Sequence, residues 1–153
     1  MSVPTYVTCE VDSLAGVEAV RVLADAMLAA LGLGAAELSV VLTDDASIRR
    51  LNAEHRREDR PTDVLAFPMD FAAPASTGPA APEVGTPLLG DVVISVPTAG
   101  RQARAAGHSL AVELRFLLAH GLLHLIGHDH HAAAEKAEMD RETSRLVAET
   151  EKK

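Results

Sequence analysis

The chain has 153 residues, 48% of them hydrophobic and 24% charged, a balance that suits one globular domain over 1–153 with a real core. A formal net charge of −8 excludes a general, charge-driven nucleic-acid binder, so any RNA or DNA contact needs a local basic patch. The single cysteine, Cys9, excludes an intramolecular disulfide and argues against a cysteine-built zinc site, and with only 3% aromatics the core must come from Leu, Val, Ile and Ala.

Met1 to Tyr6 lacks the basic and apolar regions of a signal peptide. The apolar stretch from Ala119 to Ile126 is interrupted by histidines and too short to span a bilayer, so a soluble, cytoplasmic protein is expected. Residues 3–10 alternate weakly and read as a first strand. Helical spacing over 14–31 follows, carried by Leu14, Val17, Val20, Leu23, Met27, Leu28 and Leu31, with Ser13 as cap and Gly32 as stop. Residues 37–43 read as a buried strand. Asp44 and Asp45 offer caps for a second helix at 46–55. Pro61 ends that region, and Thr62 to Phe67 reads as a third strand.

The stretch 70–87, rich in Pro and Ala, reads as a loop within the domain rather than a linker between domains. Residues 89–95 read as a fourth strand. Pro97 opens a third helix that ends near Gly107, and Ser109 caps a fourth at 110–126. That fourth helix is apolar nearly all round, as centrally buried helices are. A charged amphipathic helix from about 132 to 149 closes the chain. Alternating strands and helices predict an α/β fold: a small mixed four-stranded sheet packed with about five helices, with the metal site on the buried, histidine-bearing helix.

The chemistry concentrates at His120-Gly121-Leu122-Leu123-His124-Leu125-Ile126-Gly127-His128-Asp129-His130. Four-residue spacing puts His120 and His124 on one helix face, one turn apart, where both imidazoles can hold one ion. Gly127 is a natural helix stop, after which the chain can deliver a third ligand. His130 is best placed for that role, with His128 and His131 as alternatives. Three protein ligands and an open fourth position characterise catalytic zinc. Gly121 stands where a zincin-type peptidase needs its general-base Glu, so that mechanism is disfavoured. Glu113 is a candidate distal acid or base, and Asp129 a candidate for orienting a ligand; a helix-start charge and a turn aspartate are equally good readings. The arginines of the stretch 51–68 are interleaved with acids and read either as a solvated, salt-bridged surface or as holding one arginine that clamps a phosphate through its bidentate guanidinium.

These residues resemble the YbeY family of bacterial endoribonucleases, the ribosomal RNA maturation factors. The likeness rests on His120-Gly121-x-Leu123-His124-Leu125-x-Gly127-x-Asp129-His130. Leu51-Asn52-x-x-x-Arg56, Pro61-Thr62-Asp63-Val64-Leu65-x-Phe67-Pro68 and Leu89-Gly90-Asp91-Val92-x-Ile94 add to it in the same order. The resemblance implies one metal ion per chain, usually Zn2+, held by His120, His124 and His130, and a functional arginine at Arg56. It also implies hydrolysis of single-stranded RNA in small-subunit ribosomal RNA end maturation and ribosome quality control, with ribosomal proteins or a ribosome-associated GTPase as partners. Three positions depart from the family pattern: His55 and His128 where Tyr is common, and Ala66 where Ser is. The two histidines are expected to bring extra imidazole near the site.

The expected mechanism is metal-assisted phosphodiester hydrolysis, with Arg56 stabilising charge on the phosphate. A positive groove near Arg49, Arg50, Arg56 and Arg57 would hold the RNA backbone. The rivals are a zinc hydrolase acting on another substrate, such as a peptide, and a non-catalytic ribosome assembly factor with a structural zinc.

Overall fold

Strand and helix alternate over the first five elements, and three successive helices close the chain, in a computed structural model that describes residues 5–9, 17–33, 36–68, 88–126 and 133–151. Ser13, the stretch 70–87 and the residues from Gly127 to His131 lie outside the described residues. The order is β1 (Thr5–Cys9), α1 (Val17–Ala30), β2 (Glu37–Thr43), α2 (Asp45–Arg56), β3 (Val64–Pro68), β4 (Leu88–Ser95), α3 (Val96–Ala106), α4 (Leu110–Leu125) and α5 (Ala133–Glu151). The four strands form one mixed sheet in the order β1-β2-β4-β3, with β1, β2 and β4 parallel and β3 antiparallel to β4.

Alternation along the strands sorts their side chains onto two faces. Leu38, Val40 and Leu42 of β2 with Val92 and Ile94 of β4 join the large core, together with α1 and α4. Val93 of β4 and Leu65 of β3 point the other way, onto Ile48 of α2. β4 is therefore covered on both faces, which its run Val92-Val93-Ile94 anticipates. β3 forms an edge, where Pro68 is tolerated because an edge strand need not donate every N–H.

The helices begin and end where the local chemistry permits. The Asp44 carboxylate accepts the Ser47 N–H at 2.8 Å and caps α2. Ser95 caps α3, Gly107 closes it at φ 78°, and Ser109 caps α4. Asp45 does something else. It accepts from Ser95 Oγ at 2.5 Å, Thr98 Oγ1 at 2.6 Å and Arg101 at 2.8 Å, fastening the start of α2 to the end of β4 and to α3.

α4 is the central helix. It packs against β3, β4, α3 and α5, and Leu118, Leu122 and Leu123 are at most 1% exposed. Burial of each such leucine stabilises the fold by roughly 1.5–3 kcal/mol. The helix stays close to the sheet at Gly121, where an added Cβ would lie 2.8 Å from Val92 Cγ1 and 3.2 Å from Val64 Cγ2.

Candidate active-site cleft

Gly121 explains how a polar pair can sit on so apolar a helix. With Gly121 seated on β3 and β4, the flanking His120 and His124 fall at the margin of the core and are only partly buried. Their Nε2 atoms are 3.2 Å apart, with ring centroids 4.7 Å apart and planes at 70°. Without an ion, that separation is hydrogen-bonding distance between one protonated and one bare ring nitrogen. It also fits a shared ion: with zinc–imidazole bonds of about 2.0–2.1 Å, nitrogens 3.2 Å apart subtend roughly 100–106°, close to a tetrahedral angle. Among the described residues no group of three His, Cys, Asp or Glu gathers to hold a metal. His130, His128, His131 and Asp129 lie outside the described residues.

The two imidazoles open onto a cleft of about 420 Å³ whose opposite wall is the segment joining α2 to β3. Arg56, Arg60 and Asp63 line it with His120 and His124. Two stretches more than fifty residues apart in sequence thus form one site. Arg56 is the last residue of α2, because Arg57 turns into the left-handed region at φ 60° and donates its N–H to Asn52 O. Asn52, 3% exposed, holds the turn further: its Nδ2 donates to Arg60 O at 2.9 Å, and its own carbonyl accepts from Glu58 N at 3.3 Å. Asp63 is fixed too, its carboxylate accepting from Val64 N at 2.7 Å and from Gln102 Nε2 at 3.3 Å. Its carbonyl takes the Ser95 N–H at 2.9 Å.

Several sequence-based expectations need correction. His55 does not approach the histidine pair. It lies on the α2 face of the sheet, against Phe67 with centroids 4.8 Å apart, and lines a separate groove with Val41 and Asp91. Period-two alternation on β3 is the reason: Phe67 and Leu65 face α2 while Val64 and Ala66 face α4. Glu113 is not a distal acid or base of the site, because its carboxylate meets His108 Nε2 at 2.7 Å near the start of α4. The basic groove is also narrower than expected. Arg49 is held by Asp59 at 2.7 Å and Arg60 by Glu58 at 2.7 Å, and of the four arginines expected there only Arg56 lines the cleft. Asn52 and Asp63 were not singled out from sequence for a role, although both sit inside the stretches that carry the family resemblance.

A family model described as Endoribonuclease YbeY matches residues 8–151. The Endoribonuclease YbeY of Moorella thermoacetica is 49% identical, over 84% of this chain and 81% of its own length. That of Aquifex aeolicus is 47% identical, over 81% of this chain and 76% of its own. The solution structure of a Thermotoga maritima protein superposes with a TM-score of 0.65 at 24% identity, covering 95% of this chain and 88% of that one, and so shares the fold.

Proposed function

Because the chain belongs to the YbeY endoribonuclease family, we propose that the cleft hydrolyses phosphodiester bonds of single-stranded RNA, with His120, His124 and His130 holding one Zn2+ and Arg56 gripping the phosphate. The observation that carries this reading is the convergence of Arg56 with the His120–His124 pair on one cleft of about 420 Å³. A bound zinc would supply an ionised water and a Lewis acid for a phosphoryl oxygen. Three imidazoles suit zinc, and also nickel, copper or iron.

The chain's own groups do the rest. The Arg56 guanidinium can bind two phosphate oxygens in parallel, a match for charge that grows on the phosphate as the bond breaks. Asn52 keeps Arg56 in place by tying down the turn beyond it. His120 and His124 are set by the helix, and the helix by Gly121 against Val92 and Val64. The Asp63 carboxylate in the same cleft repels polyanions, while Glu58 is matched by Arg60, so a phosphate is directed toward Arg56. We propose that one domain spanning 1–153 carries this site. The biological setting we infer is ribosomal RNA end maturation and ribosome quality control in the cytoplasm, alongside ribosomal proteins or a ribosome-associated GTPase. Among the described residues no helix is long and apolar enough to cross a membrane.

The test is metal content by mass spectrometry for the wild type and His124→Ala, paired with cleavage of a single-stranded RNA by the same samples. About one zinc per chain and cutting in the wild type, with both lost in the variant, is the expected result. Zinc in the wild type with no cutting, or equal cutting by both samples, refutes the nuclease reading and favours an assembly factor.

A further inference from the structure

His120 separates the cleft from a second pocket of about 320 Å³ between α4 and α5, and both it and Asp63 line the two spaces. The second pocket is also bordered by Phe116, Asp140, Thr143 and Ser144. Phe116 precedes His120 by one helical turn, so the ring and the imidazole share a face of α4. The chain has only three Phe, one Tyr and no Trp, yet it leaves this ring 37% exposed beside the site. No Arg or Lys lines the pocket among the described residues, whereas two carboxylates do. A phosphate is therefore unsuited to it. A flat, neutral group with N–H donors is well suited, because it can cover the ring face and donate to the carboxylates and hydroxyls at its edge.

Resting on the endoribonuclease reading, we infer that this pocket receives a nucleobase of the RNA flanking the phosphate held at Arg56, with the base stacked on Phe116 and its edge met by Asp140 and Ser144. The two spaces share His120 and Asp63 as a common wall, so one nucleotide reaching past His120 can lay its phosphate in the first and its base in the second. An amino-bearing base (adenine, cytosine or guanine) suits the carboxylate of Asp140 better than uracil, which offers two carbonyl oxygens and a single N–H. This makes Phe116 a substrate-binding residue separate from the metal-holding histidines.

The experiment compares KM and kcat for single-stranded RNA among the wild type, Phe116→Ala, Phe116→Leu and Phe116→Tyr, with zinc content and melting temperature measured on each zinc-loaded protein. Phe116→Leu keeps apolar bulk without the flat face, and Phe116→Tyr keeps both. Base-on-ring stacking of the usual strength predicts a rise in KM of roughly five- to 150-fold for Ala and Leu, with kcat and zinc little changed and Tyr close to wild type. The same RNA with its bases removed should lose its advantage for wild type alone. If Ala and Leu keep the wild-type KM, or Leu matches Tyr, the pocket holds no base and Phe116 is a packing residue. A wild type that cuts RNA while remaining indifferent to Phe116 refutes the base pocket alone. A wild type that does not cut RNA refutes the nuclease reading and the pocket with it.

Discussion

Replacing Gly121 by alanine tests whether the close approach of α4 to the sheet sets the histidine pair. The new methyl would stand 2.8 Å from Val92 Cγ1, and restoring a normal carbon–carbon contact of about 3.5–4.0 Å requires an opening of roughly 0.7–1.2 Å. Valine is branched at Cβ and has no free rotamer to yield cheaply, so the helix must move. Overpacking of this kind costs about 1–3 kcal/mol, and the better helix propensity of alanine returns about 1 kcal/mol. The net loss is then about 0–2 kcal/mol, equivalent to a fall in melting temperature of up to about 8 °C for a chain of this size. Activity should suffer more than stability. A displacement near 1 Å shifts both imidazoles relative to Arg56, and a misplacement of that size can cost about 100-fold in rate. The assays are thermal unfolding and RNA cleavage on Gly121→Ala, Val92→Ala and the double variant. The double variant should recover part of the activity relative to Gly121→Ala, because the 2.8 Å clash is removed and only the 3.2 Å contact with Val64 Cγ2 remains. A Gly121→Ala protein that melts higher than wild type and cuts RNA at full rate would refute the reasoning.

Other outcomes follow from the same contacts. Arg56→Ala should lower cleavage by about 100- to 1,000-fold, the scale for removing one preorganised donor to a charged transition state, while zinc content stays at the wild-type value; Arg56→Lys should recover little, since a point charge lacks the paired geometry. Asn52→Leu, nearly isosteric, abandons the Arg60 carbonyl and should cost about 1–3 kcal/mol in denaturant unfolding, with cleavage reduced and zinc retained. Burial pushes the Asp45 carboxyl up, but donors from Ser95, Thr98 and Arg101 outweigh it and bring the group down to about 2. A depressed folded value means that its stabilisation is present above the unfolded pKa, near 4, and is lost as pH falls from there through about 2. Screening at this partly exposed site leaves about 1–2 kcal/mol. Acid titrations of wild type and Asp45→Asn should therefore differ at pH 5 and converge near pH 2.

What the sequence made legible followed from local rules. The α4 helix with its Ser109 cap, the strands at 37–43 and 89–95, and the i, i+4 histidine pair all depend on spacing and capping chemistry within one segment, and each stands where those rules put it. Residues whose role depends on a distant partner were harder. Asp44 and Asp45 look interchangeable as caps, and only the arrival of Ser95, Thr98 and Arg101 from the far end of β4 gives Asp45 its separate task. His55 adjoins Arg56 in sequence, yet it faces Phe67 on the other side of the sheet. Arg49 and Asp59 are ten residues apart and read as two solvated charges until the turn folds them together. Gly121 registers in the sequence only as a missing glutamate. In the fold it is the contact that sets the depth of the helix against β3 and β4.

The pairing of Arg49 with Asp59 and of Arg60 with Glu58 bears on how ionic strength acts on RNA binding. A cation already matched by a carboxylate has little left with which to displace the counterions condensed along a single strand. Each phosphate that is truly neutralised contributes about −0.7 to the slope of log affinity against log salt. With Arg56 as the main cation turned to the cleft, the slope should be close to that of one or two phosphates, far shallower than for a protein with an open basic groove. A protein of net charge −8 that grips its RNA in this way would keep most of its affinity at physiological salt, and would select its substrate by ring stacking and fit more than by charge.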